Sequence, residues 1–210
     1  MTNRDLARAF EPDYPEVGER LRARRRARNL SLRDLAERLG VSPSLISQIE
    51  RGRARPSVST LFAIVTELGV SLDELLFNDD RPSPPRTSPV QEAATRHHIR
   101  LASGVVWERL TTTSQPGVEF LFVVYDVGGA SSPGDTYQNH AGYEWGYVIS
   151  GVLEVIIGFD RYVLQPGDAV SLDSSIPHRL ANIGDTPVHA IWFVLGRDAD
   201  PRLIGQMAGS

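Results

Sequence analysis

The chain has 210 residues, 41% of them hydrophobic and 23% charged, which fits one large or two small globular domains. It contains no Cys, and this excludes disulfides, zinc sites with cysteine ligands and thiol nucleophiles. No apolar run reaches the ~18 residues of a membrane span, and the N-terminus lacks the apolar core of a secretion signal, so we expect a cytoplasmic protein without a membrane partner.

Charge is distributed unevenly along the chain. All 22 basic residues are Arg, and residues 17–60 hold eleven of them against four acidic residues, a net charge of +7. Residues 81–210 hold nine Arg against thirteen acidic residues, a net charge of −4. Clustered Arg favours a polyanionic partner, because guanidinium groups bond phosphate in a bidentate way. The Arg run over residues 22–28 also fits a solvated helix face, and charge alone leaves both interpretations open.

The first predicted helix covers residues 16–29 and is rich in Arg. The second covers residues 32–39 and begins after Ser31, whose S-L-R-D pattern is that of a capping box with Asp in place of Glu. Its Leu residues recur at i, i+3 and i+7, which predicts one buried face. Gly40 is expected to end this helix in the left-handed conformation.

A third predicted helix follows a tight turn. Ser42 is its N-cap, Pro43 occupies the first helical position, and Gly52 ends it. Two further amphipathic helices are predicted over residues 57–68 and 71–77, so the N-terminal unit is predicted to contain five helices. The third helix buries its apolar residues, and the residues left on its outer face are Ser44, Ser47, Gln48 and Arg51.

Residues 17–77 resemble the Cro/repressor-type (XRE) helix-turn-helix family, through the run L-R-D-L-A-E-R-L-G-V-S-P-S-L-I-S-Q-I-E-R-G and the following R-P-S-V-S-T-L. The resemblance implies that the helix after Ser42 enters the major groove of DNA. A Gln side chain can bond N6 and N7 of adenine together, while Arg holds phosphates without reading sequence. A helical bundle that serves only as an interaction domain is the alternative. The predicted DNA-binding residues are Arg33, Ser42, Pro43, Ser44, Ser47, Gln48, Arg51, Arg53 and Arg55.

Residues 79–98 predict a Pro-rich linker, since Pro at this density blocks helix and strand interiors. Adjacent residues of an extended chain point to opposite faces, so His97 and His98 make a poor metal pair and we expect both at the surface. The predicted organisation is an N-terminal extension over 1–16, a helix-turn-helix domain over 17–78, the linker over 79–98, a β domain over 99–197 and a C-terminal tail over 198–210.

Short β runs broken by turn residues follow the linker. The turns include S-Q-P-G, S-G and Q-P-G-D. Many short strands at close, regular spacing predict a sandwich or a barrel. The predicted strands cover residues 105–111, 118–127, 145–149, 152–157, 162–164, 169–172 and 188–194.

Two stretches of this region resemble the two motifs of the cupin family, over about residues 100–196. His140, Glu144 and Gly151 match the first motif in type and spacing, and Pro177, His178 and Asn182 match the end of the second. With the first resemblance, this implies a two-domain α plus β protein. Its N-terminal domain is all-α, a five-helix helix-turn-helix domain, and its C-terminal domain is a cupin double-sheet β-barrel, or jelly roll.

The cupin resemblance also implies a metal site, with one departure. The family's usual set has two His spaced by one residue, then Glu, then a distant His, and Gln138 stands here in place of the first His. Residues 138, 140 and 144 share parity on an extended segment and can face one way. His140, Glu144 and His178 would suit a divalent transition metal (Zn, Fe, Mn or Ni), to which Gln138 could add a weakly bound amide oxygen, or Gln138 could only hydrogen-bond a ligand. A barrel that binds an organic ligand without metal remains the alternative.

Aromatic and cationic residues near the motifs suggest a ligand pocket inside the barrel, although aromatic residues in strands also serve as core. His189 shares parity with apolar neighbours, and we expect it to be packed or hydrogen-bonded. The predicted pocket residues are Tyr137, Trp145, Tyr147, Arg179 and Trp192.

These features together predict a sequence-specific transcriptional regulator, not an enzyme, that binds double-stranded DNA as a homodimer and senses a small-molecule effector. The runner-up is a mononuclear non-haem iron enzyme of the 2-hydroxypropylphosphonate epoxidase type, which also joins a helical domain to a cupin. That family uses a Lys from its helical domain, and this chain has no Lys. A sugar- or acid-modifying cupin with a vestigial helical domain is a third possibility.

Overall fold

The computed structural model describes residues 14–70, 72–76, 89–113 and 117–196. The first two ranges are helical and the last two form β-sheets, so the predicted two-domain α plus β class is confirmed. Most of the predicted N-terminal extension and of the Pro-rich linker lie outside the described residues, as does the predicted tail over 198–210. The exact domain boundaries stay a prediction.

The helices begin and end where the capping residues predict. Asp34 N donates to Ser31 Oγ over 3.1 Å and Ser31 N donates to the Asp34 carboxylate over 2.8 Å, which completes the capping box. Ser42 caps the third helix by accepting from Leu45 N, and Gly40 has the expected positive φ of 64°. The described helices are α1 (Tyr14–Ala27), α2 (Leu32–Arg38), α3 (Pro43–Glu50), α4 (Val58–Leu68) and α5 (Leu72–Leu76).

The helical core forms where the apolar faces meet. Leu35, Ile46 and Leu61, from α2, α3 and α4, are all fully buried. Helix α1 approaches the end of α3 very closely at Gly18, where an added Cβ would lie 2.6 Å from the carbonyl oxygen of Glu50. A larger residue at position 18 would clash with the backbone at the end of α3. Glycine is therefore required at this crossing, where it lets α1 pack closely against α3.

The β region contains two antiparallel sheets. The strands are β1 (His98–Arg100), β2 (Val105–Arg109), β3 (Val118–Tyr125), β4 (Gly142–Ser150), β5 (Leu153–Ile157), β6 (Asp160–Leu164), β7 (Ala169–Asp173), β8 (His178–Asn182) and β9 (Val188–Gly196). The larger sheet has the strand order β1-β2-β3-β9-β4-β7 and the smaller has the order β6-β5-β8. Burial alternates along β2, β3 and β9 of the larger sheet, so one face of that sheet lines the interior of the predicted double-sheet barrel.

The structure corrects the sequence prediction in two places. The sequence does not predict β1 or β8. Strand β1 is only three residues long, and β8 coincides with the end of the second cupin motif. His98 begins β1 opposite Glu108 and is only 8% exposed, so the expectation that it lies at the surface is wrong. The predicted linker consequently overlaps the first residue of the barrel and also contains a short 3₁₀ helix, Ala93–Thr95.

The helical unit packs directly against the barrel through the start of α4. Ser59 N donates to the Ser131 carbonyl over 3.0 Å, and Ala102 N donates to the Pro56 carbonyl over 3.0 Å. The ring of Phe62 meets Trp107 of β2 edge-on, with centroids 5.8 Å apart. The core of the chain is therefore continuous across the two units. Among the residues described, none of the helices is long and apolar enough to cross a membrane.

Candidate DNA interface and barrel site

Helix α3 presents a polar outer edge to solvent. Ser42, Pro43, Ser44 and Gln48 are exposed and Ser47 is half-buried, while Ile46 and Ile49 are fully covered on the opposite side. The exposed edge starts at the N-terminus of the helix, where side chains of a helix-turn-helix reach base edges, and it continues one turn further to Gln48. The structure thus brings the predicted base-reading residues together on one accessible surface.

Hydrogen bonds within α3 hold two of these side chains in place. Gln48 Nε2 donates to Ser44 Oγ over 3.3 Å. The guanidinium of Arg51 donates to the Ser47 carbonyl over 3.0 Å and to Ser47 Oγ over 2.6 Å. Because these pairs are exposed and local, a nucleic-acid phosphate or base can compete for the same donors.

A groove of about 570 Å³ runs beside this edge and collects Arg side chains from three helices. Arg33 of α2 and Arg51 at the end of α3 both line it and are exposed, as predicted for phosphate contacts. Arg22 and Arg26 of α1 also line it, and sequence reasoning did not include them. Their i, i+4 spacing on one helix face was the available signal. Arg53 is exposed and Arg55 half-buried beyond the end of α3.

One member of the Arg run has a different role. Arg25 is 7% exposed and forms a double salt bridge with Glu50, with Nε 2.5 Å from Oε1 and Nη2 2.9 Å from Oε2. It also donates to the Leu30 carbonyl over 2.6 Å. The hydrogen bond to Glu50 raises the pKa of Arg25, although burial opposes this. Arg25 therefore fastens α1 to the C-terminal end of α3 instead of facing solvent.

The barrel site is built by three side chains that converge from different places in the chain. His140 precedes β4, Glu144 points inward from β4, and His178 is the first residue of β8; all three are buried. Glu144 Oε1 lies 2.8 Å from His140 Nε2 and 3.2 Å from His178 Nε2. One ligand atom of each residue lies within 4.8 Å of the others, which is the spacing of a metal-ligand set.

Neighbouring groups orient these three side chains. Trp192 Nε1 donates to Glu144 Oε2 over 2.5 Å, and Ser174 Oγ donates to Glu144 Oε1 over 3.1 Å. His178 Nδ1 lies 2.9 Å from the Ile176 carbonyl oxygen. Because a carbonyl oxygen can only accept a hydrogen bond, Nδ1 carries the proton in this contact. In neutral His178 this leaves the lone pair on Nε2, which faces Glu144. Histidines that bind metals are held in this way, with the other ring nitrogen donating to a carbonyl.

The protonation states follow from this geometry. Burial alone would raise the pKa of Glu144, but the close nitrogens of His140 and His178 outweigh it and hold that pKa below its usual range. Burial would lower the pKa of His178, but the carboxylate of Glu144 and the carbonyl of Ile176 raise it overall. The site therefore carries a carboxylate at neutral pH, flanked by two imidazoles.

Gln138 lies at the edge of the same cluster. Its backbone pairs with that of His178, and its Nε2 is 3.1 Å from His178 Nε2. Its Oε1 is buried without a hydrogen-bond partner. Since the amide oxygen and nitrogen are assigned only from such contacts, rotation of this amide by 180° would point Oε1 into the cluster.

The buried donors fit a divalent metal. His140 Nε2 is buried and meets no hydrogen-bond geometry, even though Glu144 Oε1 lies 2.8 Å away. An imidazole nitrogen in that position is costly to bury unless something completes its coordination. Two His and one carboxylate, with the amide of Gln138 alongside, are donors that Zn, Fe, Mn and Ni accept.

The structure places most of the predicted pocket residues outside the barrel interior. Glu144 faces inward on β4, so Trp145 and Tyr147 have the opposite parity and lie on the outer face of the sheet, where Trp145 packs on Phe193. Arg179 has the opposite parity to His178 and lies 3.7 Å from Glu154. Tyr137 is 44% exposed. Trp192 alone of the predicted set lines the barrel interior.

Sequence reasoning missed the helical contribution to this site. The imidazole of His140 stacks on Phe62 of α4, and Phe62 and Val58 line the small interior cavity of about 20 Å³ together with Gln138, Glu144 and Trp192. Phe62 and Val58 have the spacing of ordinary core residues of an amphipathic helix. No local signal in the sequence therefore identifies them as neighbours of the barrel site. His189 is packed and hydrogen-bonded as expected, with Nδ1 2.8 Å from Ser150 Oγ.

Comparisons with known proteins agree with this architecture. Residues 21–75 match the helix-turn-helix family and residues 121–194 match the cupin domain family. The HTH-type transcriptional regulator PuuR of Escherichia coli (strain K12) is 29% identical over 167 residues, which cover 79% of this chain and 86% of PuuR. The HTH-type transcriptional regulator SutR of the same organism is 28% identical over 169 residues, which cover 80% of this chain and 88% of SutR.

A solved structure has the same fold. The crystal structure of an HTH_3 family transcriptional regulator from Vibrio cholerae superposes with a TM-score of 0.64 at 21% identity, over 87% of this chain and 96% of that chain. The chain contains a helix-turn-helix domain followed by a cupin domain, and over about four fifths of its length it is similar to HTH-type transcriptional regulators.

Proposed function

We propose that this regulator acts as a cytoplasmic homodimer whose two α3 helices read DNA half-sites while each barrel binds a small-molecule effector. Ser44 and Gln48 would contact base edges, and the Arg groove would hold the phosphates beside them. Two copies related by a two-fold axis would place their α3 helices in successive major grooves, about 34 Å apart.

The observation that carries the DNA-binding proposal is the surface around α3. Its exposed edge is polar and uncharged, whereas Arg22, Arg26, Arg33 and Arg51 flank it in a single groove. A duplex needs this pairing, because its base edges lie between two rows of phosphates. A helix that served only protein contacts would not require polar and cationic groups to be separated in this way.

The barrel site supports a bound divalent metal. His140, Glu144 and His178 would hold it, and Gln138 would complete the set if its amide oxygen turned inward. A metal held this way supplies a Lewis acid that can bind an oxygen or nitrogen atom of an effector. The chain's own residues set the site up: Trp192 and Ser174 fix the carboxylate, and the Ile176 carbonyl fixes the tautomer of His178.

The decisive experiment is selection of bound sequences from a random duplex pool by the full chain. We expect enrichment of a two-fold symmetric site with half-sites one helical turn apart. The variant Gln48→Ala should lose preference at one position of each half-site, while Gln165→Ala, an equally exposed Gln on the barrel, should select the wild-type site. No enrichment at low salt, or the same site from Gln48→Ala, would overturn the proposal.

The triad also favours a second candidate, a mononuclear iron enzyme, because two His and one carboxylate leave coordination positions open on Fe(II). Oxygen uptake by the iron-loaded protein with 2-hydroxypropylphosphonate tests it directly. Uptake that disappears in Glu144→Ala would establish the enzyme. Absence of uptake in a protein that selects a DNA site would leave the sensor as the function of the barrel.

A further inference from the structure

The outer face of the larger sheet is rich in aromatic side chains. Inward and outward residues alternate along β3, β9 and β4, and the three strands pair in register. Phe193 of β9 lies between Phe120 of β3 and Trp145 of β4, with ring centroids 6.3 and 5.6 Å away. Six outward residues of these three strands are aromatic: Phe120, Phe122, Tyr143, Trp145, Tyr147 and Phe193.

This face carries no charged side chain in its middle. The outward positions of β3, β9 and β4 hold no Asp, Glu or Arg, and charges begin only on the flanking strands, with Glu108 on β2 and Asp173 on β7. The outer face of the smaller sheet differs, because Arg161 and Arg179 both lie against Glu154 there. The core of a protein interface is aromatic and depleted of charge. The larger sheet is therefore the side of the barrel that suits contact with another protein.

Several large side chains of this face are open to solvent. Tyr147 is 48% exposed, Ile149 is 46% exposed and Phe120 is 37% exposed. Trp145 and Phe193 are half-buried, and ring contacts within the same face shield part of each. Soluble monomers rarely expose a contiguous apolar patch larger than a few hundred Å². A patch of this kind marks a surface that a partner covers.

The area of the face matches what a stable dimer needs. Strands β3, β9, β4 and β7 are eight, nine, nine and five residues long. At about 3.3 Å per residue and about 4.8 Å between strands, they span about 500 Å² in projection. Two such faces in contact would bury about 1,000 Å² before the relief of the side chains is counted, and a specific interface begins at about that total.

We propose that this face is the homodimer interface, in which the larger sheet of one protomer packs face to face on the larger sheet of a second copy. The inference rests on the proposed function, since it assigns the surface that joins the two DNA-reading units. A closed two-fold contact needs a self-complementary patch. An uncharged aromatic face meets this condition, whereas a charged face would meet its own charges. Phe120 and Ser171, on the outer strands β3 and β7, would lie at the rim.

Sedimentation equilibrium of the full chain measures the dimer. We expect Tyr147→Glu to weaken dimerisation at least 100-fold, because two carboxylates would lose their water inside the interface. Tyr162→Glu is the matched control and should dimerise like the wild type, since Tyr162 is also 48% exposed but lies on β6 of the smaller sheet. Circular dichroism checks that the variants fold. Ile149→Glu provides a second variant if Tyr147→Glu fails to fold, and it should weaken the dimer in the same way.

A distance measurement tests the geometry without weakening the contact. The chain has no Cys, so Ser171→Cys and Val163→Cys each create one site for a nitroxide label. Ser171 is exposed on β7, and Val163 is 47% exposed on the outer face of the smaller sheet. In double electron–electron resonance, the distance between the two labels of a dimer should be at least about 10 Å shorter for Ser171→Cys, because each barrel places about 10 Å between its two sheets.

The results separate this inference from the function on which it rests. A dimer that Tyr147→Glu leaves intact, or equal label distances, would overturn this interface and leave the regulator standing. A chain that stays monomeric at every concentration and on its selected DNA would overturn both the interface and the homodimer, whether its own termini or another protein covers the face. A dimer that Tyr147→Glu dissociates but that selects no DNA site would support the interface and overturn the regulator.

Discussion

The imidazole of His140 lies parallel to the phenyl ring of Phe62, with centroids 4.0 Å apart and an interplanar angle of 9°. Phe62 belongs to α4 of the DNA-binding unit, and His140 belongs to the triad inside the barrel. The same imidazole meets His178 edge-on with centroids 5.5 Å apart. The helical unit and the triad are therefore in direct contact through this pair of rings.

The first prediction concerns this contact. Phe62→Leu keeps an apolar side chain but removes the flat surface on which His140 stacks. We expect the free energy of unfolding to fall by about 1–2 kcal/mol, since the ring is nearly fully buried and leaves a partly filled space. Urea unfolding followed by circular dichroism measures the loss.

Phe120→Leu is the matched control for Phe62→Leu. Phe120 is 37% exposed on the outer face of β3, so the same replacement should cost about 0.5 kcal/mol or less. Equal losses in the two variants would mean that the interface between the units contributes little. DNA affinity without effector should stay within about threefold in both, because the ring of Phe62 packs on Trp107 and His140 of the barrel and Phe120 lies on the outer face of β3.

The second prediction concerns pH and metal. The pKa of His178 is raised above its ordinary 6.5, so its stabilising effect is complete below pH 6.5 and is lost as the pH rises through the raised value. The pKa of Glu144 is lowered below its ordinary 4.5, so its contribution is present above pH 4.5 and is lost only on strong acidification. For these two groups, the metal-free protein should be most stable between about pH 4.5 and 6.5, and its Tm should fall as the pH rises above 6.5.

Metal should reverse that trend, because it binds the neutral imidazole and releases a proton. Zinc should therefore raise Tm more at pH 8 than at pH 6, which differential scanning calorimetry with and without a chelator measures. In Glu144→Gln the His178 imidazole loses its charged partner, so both the slope of Tm with pH and the response to zinc should shrink. A variant that keeps the wild-type slope and response would contradict the assignment of this site.

The third prediction concerns the buried pair between Arg25 and Glu50. Removing either partner leaves an uncompensated charge, so Arg25→Ala or Glu50→Ala should cost about 3–5 kcal/mol. The exposed pair between Arg38 and Glu67, with Nη1 2.6 Å from Oε1, is the control, and Arg38→Ala should cost far less than either variant of the buried pair because solvent screens the exposed charges. Thermal unfolding of the four proteins ranks the losses, and similar values for the two pairs would contradict the role of burial.

Local patterns were sufficient to predict much of this molecule. The capping box at Ser31 and the N-cap at Ser42 form as expected, because each is decided by residues within one helical turn. The placement of His140, Glu144 and His178 in one cluster followed from motif resemblance and from strand parity. Strand parity also argues against two of the predicted pocket residues, because Trp145 and Tyr147 cannot face the interior if Glu144 does.

Contacts between distant parts of the chain could not be predicted from local sequence patterns. Arg25 stands in a run of similar Arg residues, and only its meeting with Glu50, 25 residues away, makes it buried. Phe62 has the spacing of any core residue of α4, and its stacking on His140 depends on how the helical unit docks on the barrel. Helix periodicity says which face is buried but not which partner covers it.

The fourth prediction concerns Gly146. This residue lies opposite Trp192 in the sheet, and an added Cβ would overlap the indole ring. Gly146→Ala should displace Trp192, remove its hydrogen bond to Glu144, and cost about 1–3 kcal/mol through overpacking. Zinc affinity should fall about tenfold or more, since the partners that orient a ligand matter nearly as much as the ligand itself.

Gly184→Ala is the control for Gly146→Ala. An added Cβ at Gly184 meets its nearest atoms at 3.5 Å, an ordinary contact, and this glycine does not have a positive φ. Near-ultraviolet circular dichroism reports the environment of Trp192, and calorimetric titration with zinc reports the affinity. Unchanged spectra and zinc affinity in Gly146→Ala would show that the indole does not hold the carboxylate.

The last prediction separates phosphate contacts from base contacts on the DNA-binding unit. Arg33 lines the groove beside α3 and is exposed, so Arg33→Ala should weaken all duplexes alike and reduce the slope of log K against log salt by about one. Gln48→Ala should leave the slope unchanged but lower discrimination at one base pair by about 1–3 kcal/mol. Arg161→Ala, at an exposed Arg on β6, should change neither quantity. Fluorescence anisotropy at several salt concentrations, with the selected site and single-base variants of it, measures both. If Arg33→Ala changed sequence preference while Gln48→Ala changed only the salt slope, the two surfaces would have exchanged roles and the orientation of α3 in the groove would have to be revised.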